Sequence, residues 1–281
     1  MWLVLTILSA ILLGVYDVAK KKALERNGVL WVLLAATVLT TLFLAPFLRA
    51  GTPEDHLQLA IKALIVTVSW VSGMMGLKLL PVTTVSTIKG SRPVFVVILS
   101  ILLYGERLNG WQGAGIVLVL LSLFLLTRAT HREQEGRGTT KGLAWMALSV
   151  LSGVASALYD KMIITRMEPL FAQGWANFYI SVLLALILTG KSLHDGDRRP
   201  RFQWDWTLLL IAVLITGADA AYFFALKQPG AMLSVISVIR RCSVIVTFVC
   251  GAIVFREKNL KSKSLHLLLM TGGIAILLMS S

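Results

Sequence analysis

The chain has 281 residues, of which 57% are hydrophobic and 15% charged, and its mean hydropathy is +0.80. A soluble domain has about 45–50% apolar and about 25% charged residues, so the composition excludes a soluble globular protein and leaves no room for a soluble catalytic domain. The formal net charge is +13. Most of the lysines and arginines lie in short segments beside apolar stretches, so they indicate contact with a lipid bilayer, and nucleic-acid binding is not expected.

Apolar stretches recur along the whole chain, each long enough to cross a hydrocarbon core of about 30 Å. In the first half they predict spans at 2–19, 29–48, 58–79, 82–104 and 110–127. In the second half they predict spans at 141–163, 170–190, 206–226, 231–254 and 263–279. The predicted fold class is therefore an all-α integral membrane protein with ten transmembrane helices.

The two halves of the sequence resemble each other. Tyr16-Asp17 in the first span reappears as Tyr159-Asp160 in the sixth, and Glu106 after the fourth span matches Glu257 after the ninth. We expect a first repeat at 1–130, a connecting loop at 131–141 and a second repeat at 142–281. Because each half has an odd number of spans, the repeats should be inverted in the membrane, which places a substrate site near the midplane.

Loop charges predict the orientation. The loops after the odd-numbered spans hold 17 basic residues, whereas the opposite side holds six, among them Lys62 and Lys161. Cytoplasmic loops are enriched in Lys and Arg, so this distribution predicts that both termini lie outside.

Seven charged residues lie within or near apolar spans, where charge is costly and usually functional or paired. The cations are Lys89, Arg92, Arg240 and Arg241, and the acids are Asp17, Asp160 and Asp219. When Glu106 is aligned with Glu257, an offset of 151, Lys89 falls on Arg240 and Gly90 on Arg241.

Spans four and nine thus bring cations to a similar depth, which predicts one basic pocket between the halves. Arginine and lysine together suit a phosphate or a carboxylate. Arg92 shares the helical face of Lys89, and Tyr222 is expected to line the cavity, although core packing also explains a tyrosine there. Arg241 is turned about 100° from Arg240, so both need not point inward.

A structural alternative accounts for the same charges. The cations would pair with Asp17, Asp160 and Asp219 as internal struts, with Lys20 and Lys161 partly neutralising the first two acids. Three alternative roles are open for Asp219: carrying a coupling proton, orienting Arg240 or binding a substrate hydroxyl.

No enzyme motif is present, and Cys242 and Cys250, eight apart in one apolar segment, do not have metal-ligand or redox spacing. No cofactor and no metal are expected.

Several segments carry a family resemblance over essentially the whole chain. Leu77-Lys78-Leu79-Leu80-Pro81, Gly105-Glu106-Arg107-Leu108 and Gly113-Ala114-Gly115-Ile116 resemble the EamA-type branch of the drug/metabolite transporter superfamily. The resemblance implies the ten-helix fold of that superfamily and a transport function. It also implies that both termini are cytoplasmic, in contrast to the charge count.

Thr87-Ile88-Lys89 and Val238-Ile239-Arg240-Arg241 are in addition similar to the phosphate-binding stretches of the plastidic triose-phosphate translocators. That similarity implies that Lys89, Arg240 and Arg241 surround a substrate phosphate. Asp17 and Asp160 have no counterpart in it.

The sequence therefore predicts a secondary transporter that moves a small anionic metabolite, an organophosphate or a carboxylate, by exchange or with a proton. The alternatives are an EamA-type exporter of amino acids or other neutral or zwitterionic metabolites, and a non-transporting membrane scaffold. The expected partners are a small-molecule substrate and the lipid bilayer, with the chain a monomer or a homodimer. A bacterial inner membrane is the expected location.

Overall fold

The computed structural model describes residues 1–80, 88–89, 91–131, 140–195, 202–255 and 260–279. In the first half these residues form five α-helices: α1 Trp2–Ala23, α2 Val29–Phe43, α3 Pro53–Leu79, α4 Arg92–Tyr104 and α5 Gly110–His131. In the second half they form six: α6 Thr140–Ile164, α7 Pro169–Asp195, α8 Trp206–Lys227, α9 Leu233–Arg241, α10 Ser243–Phe255 and α11 Leu260–Met279. The predicted loop 131–141 lies largely outside the described residues.

The prediction of an all-α, ten-span membrane fold is confirmed. Among the described residues, α1, α3, α6, α7 and α8 are long and apolar enough to cross a membrane, and shorter apolar helices account for other spans. The helix α3 begins at Pro53, five residues before the predicted start of its span. It starts there because the Thr52 hydroxyl and the Asp55 carboxylate cap it reciprocally, and Pro53 suits a first helical position.

The sequence predicted span nine as a single segment at 231–254, but the structure divides it into two helices. Helix α9 ends at Arg241 and α10 begins at Ser243, and between them the Cys242 N–H donates to the Ile239 carbonyl, 2.9 Å away, three residues back. This tighter turn replaces the four-residue spacing of an α-helix and ends the regular ladder.

The first half breaks at the equivalent position. The Ser91 N–H donates to the Ile88 carbonyl at 3.2 Å, and α4 begins at Arg92, which is 151 residues before Ser243. Helices α4 and α10 also end at equivalent positions, Tyr104 and Phe255. The first part of predicted span four, 82–87, lies outside the described residues.

The helix packing has the same symmetry as the sequence. Helix α3 packs against α6 just as α1 packs against α8, and α3 packs against α7 just as α2 packs against α8. Two further contacts join equivalent elements of the two halves, α2 with α7 and α5 with α11, and α4 also packs against α9. The halves are therefore interleaved rather than side by side, and residues from both meet at the centre of the molecule. Which end faces the cytoplasm stays a prediction.

Candidate functional site

A cavity of about 230 Å³ lies between the halves, where α9 ends and α4 and α10 begin. Pockets for drug-sized ligands have about 300–1,000 Å³, so this cavity suits a small solute. Six of the eight predicted site residues line it: Asp17, Arg92, Asp160, Tyr222, Arg240 and Arg241. Adjacent arginines on a helix point in different directions, yet both Arg240 and Arg241 reach the cavity. Lys89 and Asp219 lie outside its lining.

Arg240 is held by three contacts from two other helices. Its guanidinium forms a salt bridge with Asp219, and its Nε donates to the Ser9 hydroxyl at 2.9 Å. Its Cζ atom lies 4.0 Å from the centre of the Tyr222 ring, a cation–π distance. Part of the structural alternative thus holds for this arginine, because Asp219 pairs with it directly.

Arg92 is fixed through the backbone of α6. Its guanidinium donates to the Gly153 carbonyl. A Cβ atom at position 153 would lie 3.0 Å from Arg92 Cζ, so any larger residue there would displace the guanidinium by a few tenths of an ångström. Arg92 therefore reaches the cavity with part of its hydrogen-bonding capacity used by protein.

Among the described residues, Arg241 and Lys89 have no such anchors. Arg241 Nε is buried without a hydrogen-bond partner among the described residues. Lys89 is exposed, and within the described ranges it forms no salt bridge. Its ammonium lies near α3, 3.4 Å from the position that a Cβ on Gly73 would take. These two cations have the most capacity left for a ligand.

Asp17 is an exposed residue whose side chain also lines the cavity. The Thr247 hydroxyl donates to its Oδ2 atom at 3.5 Å. Lys20 was expected to neutralise Asp17 in part. Its ammonium lies 5.5 Å from the centre of the Tyr16 ring, a cation–π distance. In the part of the chain that the structure describes, Lys20 and Asp17 form no salt bridge.

Asp160 is paired, but not with Lys161 as predicted. Its partner is Lys62 of α3, and only 6% of the Lys62 side chain and 9% of the Asp160 side chain are exposed. The prediction is wrong because adjacent helical residues point about 100° apart, so Lys161 faces away from Asp160. The Tyr222 hydroxyl donates to the second carboxylate oxygen of Asp160 at 3.4 Å.

Lys62 is a buried cation within α3, whereas the loop-charge count predicted it at the membrane surface. Because α3 begins at Pro53, Lys62 lies nine residues, or about 14 Å, from the start of the helix. The signal was available in the sequence: Lys62 interrupts the run Leu59-Ala60-Ile61 and Ala63-Leu64.

Lys161 instead belongs to a second group, the Glu106 cluster, made of Glu106, Lys161, Leu233 and Ser234. The Lys161 ammonium donates to Glu106 Oε1 at 2.5 Å and to the Ala231 carbonyl at 3.1 Å. The carboxylate also accepts the N–H groups of Leu233 and Ser234, at 2.6 and 3.0 Å, and the Ser234 hydroxyl. It therefore caps the start of α9 and ties the α4–α5 loop to the second half.

The pKa of Glu106 reflects two opposing effects. Burial raises it, but the hydrogen bonds from Lys161 and Ser234 outweigh burial and hold the pKa below the ordinary value of 4.5. Glu106 is therefore ionised at neutral pH. The alignment of the two halves depends on this glutamate, but no sequence pattern predicted a role for it.

The sequence profile of the EamA-like transporter family matches this chain twice, over residues 1–128 and 140–279. The chain belongs to the EamA-like transporter family. It is thus a membrane transporter of the drug/metabolite transporter superfamily with one family repeat in each half. Family members are transporters and not enzymes.

One solved crystal structure, described only as "Crystal structure of protein", has the same fold. It superposes with a TM-score of 0.80 at 14% identity, and the match covers 99% of this chain and 97% of that one. At this identity the likeness concerns the fold alone. The sequence matches no curated protein.

Proposed function

We propose that this EamA-family chain transports a small organic anion, and that its preferred substrate is a phosphate monoester. The observation that carries the proposal is Arg241, whose buried Nε has no partner among the described residues and whose side chain lines the cavity. A buried donor without an acceptor is costly, so a ligand oxygen that accepts from it is strongly favoured. Arg241 is therefore expected to bind the anion directly.

The charge around the cavity supports a dianion. Among the described residues in and beside the cavity, three acids accompany five cations, which leaves an excess of two positive charges. Lys161 of α6 is paired with Glu106 and is not counted. The acids are Asp17, Asp160 and Asp219, and the cations are Lys62, Lys89, Arg92, Arg240 and Arg241. A phosphate monoester carries about −1.5 to −2 at neutral pH and would neutralise the excess, whereas a single carboxylate would leave one cation over.

The broken spans support the same proposal. Arg92 and Ser243 are the first residues of α4 and α10, and both line the cavity. A helix N-terminus carries a partial positive charge, so two such ends favour an anion between them. Discontinuous helices at a midplane site are typical of transporters with inverted repeats, and we propose alternating access by rocking of the halves about this site.

A second candidate function rests on Asp17. Its exposed carboxylate shares the cavity with Arg241, so the two would bind the ammonium and the carboxylate of an amino acid. Such an arrangement suits a zwitterion, the substrate class of the alternative prediction. The two candidates differ in the ligand that stabilises the folded protein.

The test is the thermal stability of the detergent-purified protein with inorganic phosphate, sugar phosphates, amino acids, purines and neutral sugars. A ligand of the folded state at 100 times its dissociation constant adds about 2.7 kcal/mol. We expect phosphate monoesters to raise the melting temperature, and Arg241→Gln to abolish that rise. Arg166→Gln is the matched control, because the Arg166 side chain is 71% exposed and is not part of the cavity lining.

Each other outcome contradicts the proposal in a different way. Stabilisation by amino acids, lost in Asp17→Asn, would establish the second candidate instead. No response to any phosphate monoester would show that the cavity does not bind this class of anion. An undiminished phosphate response in Arg241→Gln would show that the anion binds elsewhere.

A further inference from the structure

Four oxygen atoms of α1 and α10 converge beside the cavity. The Thr247 hydroxyl of α10 lies 3.2 Å from the Gly14 carbonyl oxygen and 3.5 Å from Asp17 Oδ2, both in α1. It also lies 3.1 Å from the Ser243 carbonyl oxygen, one turn earlier in its own helix. Asp17 and Ser243 line the cavity. We call these four atoms the α1–α10 oxygen cluster.

The α1–α10 oxygen cluster has more acceptors than hydrogen atoms. A hydroxyl carries one hydrogen, so Thr247 donates to only one of its three neighbours at a time. An O–H···O hydrogen bond has a length of about 2.5–3.0 Å, and all three separations are longer than that. Each carbonyl oxygen has a second lone pair after its bond within the helix. The cluster is therefore better suited to a cation than to a single shared hydrogen.

The spacing of the oxygens indicates the size of that cation. Oxygen ligands at about 2.3–2.6 Å from a cation, placed at right angles, are about 3.3–3.7 Å apart, whereas Mg²⁺ needs about 2.8–3.0 Å. The observed separations of 3.1, 3.2 and 3.5 Å match the larger spacing after shifts of at most about 0.2 Å. Na⁺ has this size, and its single charge balances the single carboxylate of the cluster.

Gly14 makes the convergence possible. A Cβ atom at this position would lie 2.4 Å from Val246 Cβ and 2.7 Å from the Ser243 carbonyl oxygen. Any larger residue would therefore push α1 away from α10. Glycine destabilises the interior of a helix, and here it permits the close approach that brings carbonyl oxygens of two helices together.

The inverted repeat shows that Asp17 lacks a cation that its counterpart has. Asp160, the equivalent acid of the second half, is paired with the buried Lys62 of α3. When the Leu-Lys pairs near the ends of α3 and α8 are aligned, an offset of 149, the buried Ile211 takes the position of Lys62. Within the described ranges Asp17 has the Thr247 hydroxyl beside it and no salt bridge. A cation from solution would supply what Lys62 supplies to Asp160.

We propose that the α1–α10 oxygen cluster binds a sodium ion that accompanies the transported anion. Three cations act on Asp17 and oppose the ion: Lys20, Arg241 and Lys89. An anion bound to Arg241 offsets this opposition, and the ion in turn neutralises the carboxylate that repels the anion. The two ligands therefore bind cooperatively. This coupling rests on the proposed function, whereas the ion site itself does not. Interrupted helices whose carbonyls bind Na⁺ are typical of transporters with inverted repeats.

The experiment compares NaCl, KCl and choline chloride at one ionic strength, so that general screening is equal in all three. The first measurement is the melting temperature of the full-length protein in detergent without an anion. We expect NaCl to raise it above the other two salts, Thr247→Val to abolish the difference and Thr247→Ser to retain it. Thr271→Val is the matched control, because the Thr271 hydroxyl is exposed and donates to the Leu268 carbonyl of its own helix.

The second measurement is the affinity for glycerol 3-phosphate in the same salts. Coupling between two bound ligands is commonly about 5–150-fold, and we expect the dissociation constant to be about tenfold lower in NaCl than in choline chloride. Thr247→Val should bind the probe in choline chloride as the wild type does and should gain nothing from sodium, because the substitution removes an ion ligand and leaves Arg241 in place.

The outcomes separate the ion site from the proposed function. Equal melting temperatures and equal probe affinities in the three salts would overturn the ion site while leaving the anion site intact. An undiminished sodium effect in Thr247→Val would also overturn it. If sodium stabilises the protein but leaves the probe affinity unchanged, the coupling is refuted. If sodium stabilises the wild type and no phosphate monoester binds in any salt, the proposed function fails and the ion site stands. Should Thr247→Val not fold, the three salts on the wild type and on Thr247→Ser still decide.

Discussion

The Glu106 cluster makes a quantitative prediction about stability. In Glu106→Gln the neutral amide keeps one oxygen for the N–H groups of Leu233 and Ser234 but loses the charge that pairs with Lys161. Each hydrogen bond to a charged group contributes about 1.5–3 kcal/mol, and breaking a buried ion pair costs about 3–5 kcal/mol. The Lys161 side chain is 17% exposed, so water compensates in part. We expect Glu106→Gln to lower the free energy of unfolding by about 2–4 kcal/mol.

The assay is denaturant unfolding in mixed micelles, with a double-mutant cycle through Lys161→Met. The two substitutions should not be additive, and the coupling free energy should be about 1–3 kcal/mol. Glu54→Gln is the matched control, because the Glu54–Arg166 pair is 3.9 Å apart with both side chains more than two-thirds exposed. Such exposed pairs contribute little, so this control should be close to the wild type. If Glu106→Gln is no less stable than Glu54→Gln, the cluster does not hold the two halves together.

The same residue gives a pH dependence. Because the pKa of Glu106 in the folded protein is below its ordinary value of 4.5, the cluster stabilises the fold fully above that value. The contribution is lost as the pH falls through the lowered pKa, since protonation removes the charge that Lys161 binds. Melting temperature between pH 6 and pH 3 should therefore fall more steeply for the wild type than for Glu106→Gln. Parallel curves would contradict the assignment.

Two further predictions concern packing and the cavity. Gly115→Ala should lower the melting temperature, because the new Cβ would lie 2.8 Å from Leu277 Cγ. We expect the free energy of unfolding to fall by about 1–3 kcal/mol. Gly113→Ala is the control: its Cβ would have no atom within 4 Å, so this substitution should be neutral or stabilising. Equal effects would refute the close approach of α5 and α11. Tyr222→Phe keeps the ring beneath Arg240 and should change the affinity for a phosphate monoester less than about threefold, whereas Tyr222→Leu also loses a cation–π contact of about 0.5–2 kcal/mol. A loss of more than tenfold in Tyr222→Phe would show that the hydroxyl binds the ligand.

Hydropathy and the internal repeat were sufficient to predict the fold. A bilayer requires apolar stretches of a fixed length, so span positions are readable without tertiary information. The offset of 151 between Glu106 and Glu257 also predicted which cations would lie at equivalent depths, and the breaks at Ser91 and Cys242 follow the same offset. The break at Cys242 itself was not predictable, because no proline or glycine adjoins it.

The partners of the buried charges were not predictable from local sequence. Asp160 lies 98 residues from Lys62, and their pairing depends on the packing of α6 against α3. Counting loop charges placed Lys62 at the surface because the span boundary was a few residues late. The assignment of the substrate-binding side chains stays a prediction, although the cavity brings six of them together.

The matched helix breaks have a consequence for how a solute lies in the cavity. If the two halves were identical, a ligand between them would fit equally well in either of two reversed poses. Here the alignment pairs Arg92 of the first half with Ser243, which has no guanidinium. It pairs Arg241 of the second half with Gly90, which has no side chain. The positive charge is therefore distributed unevenly across the junction. A polar molecule with one charged end would have a single preferred pose and would keep that end turned the same way throughout its crossing.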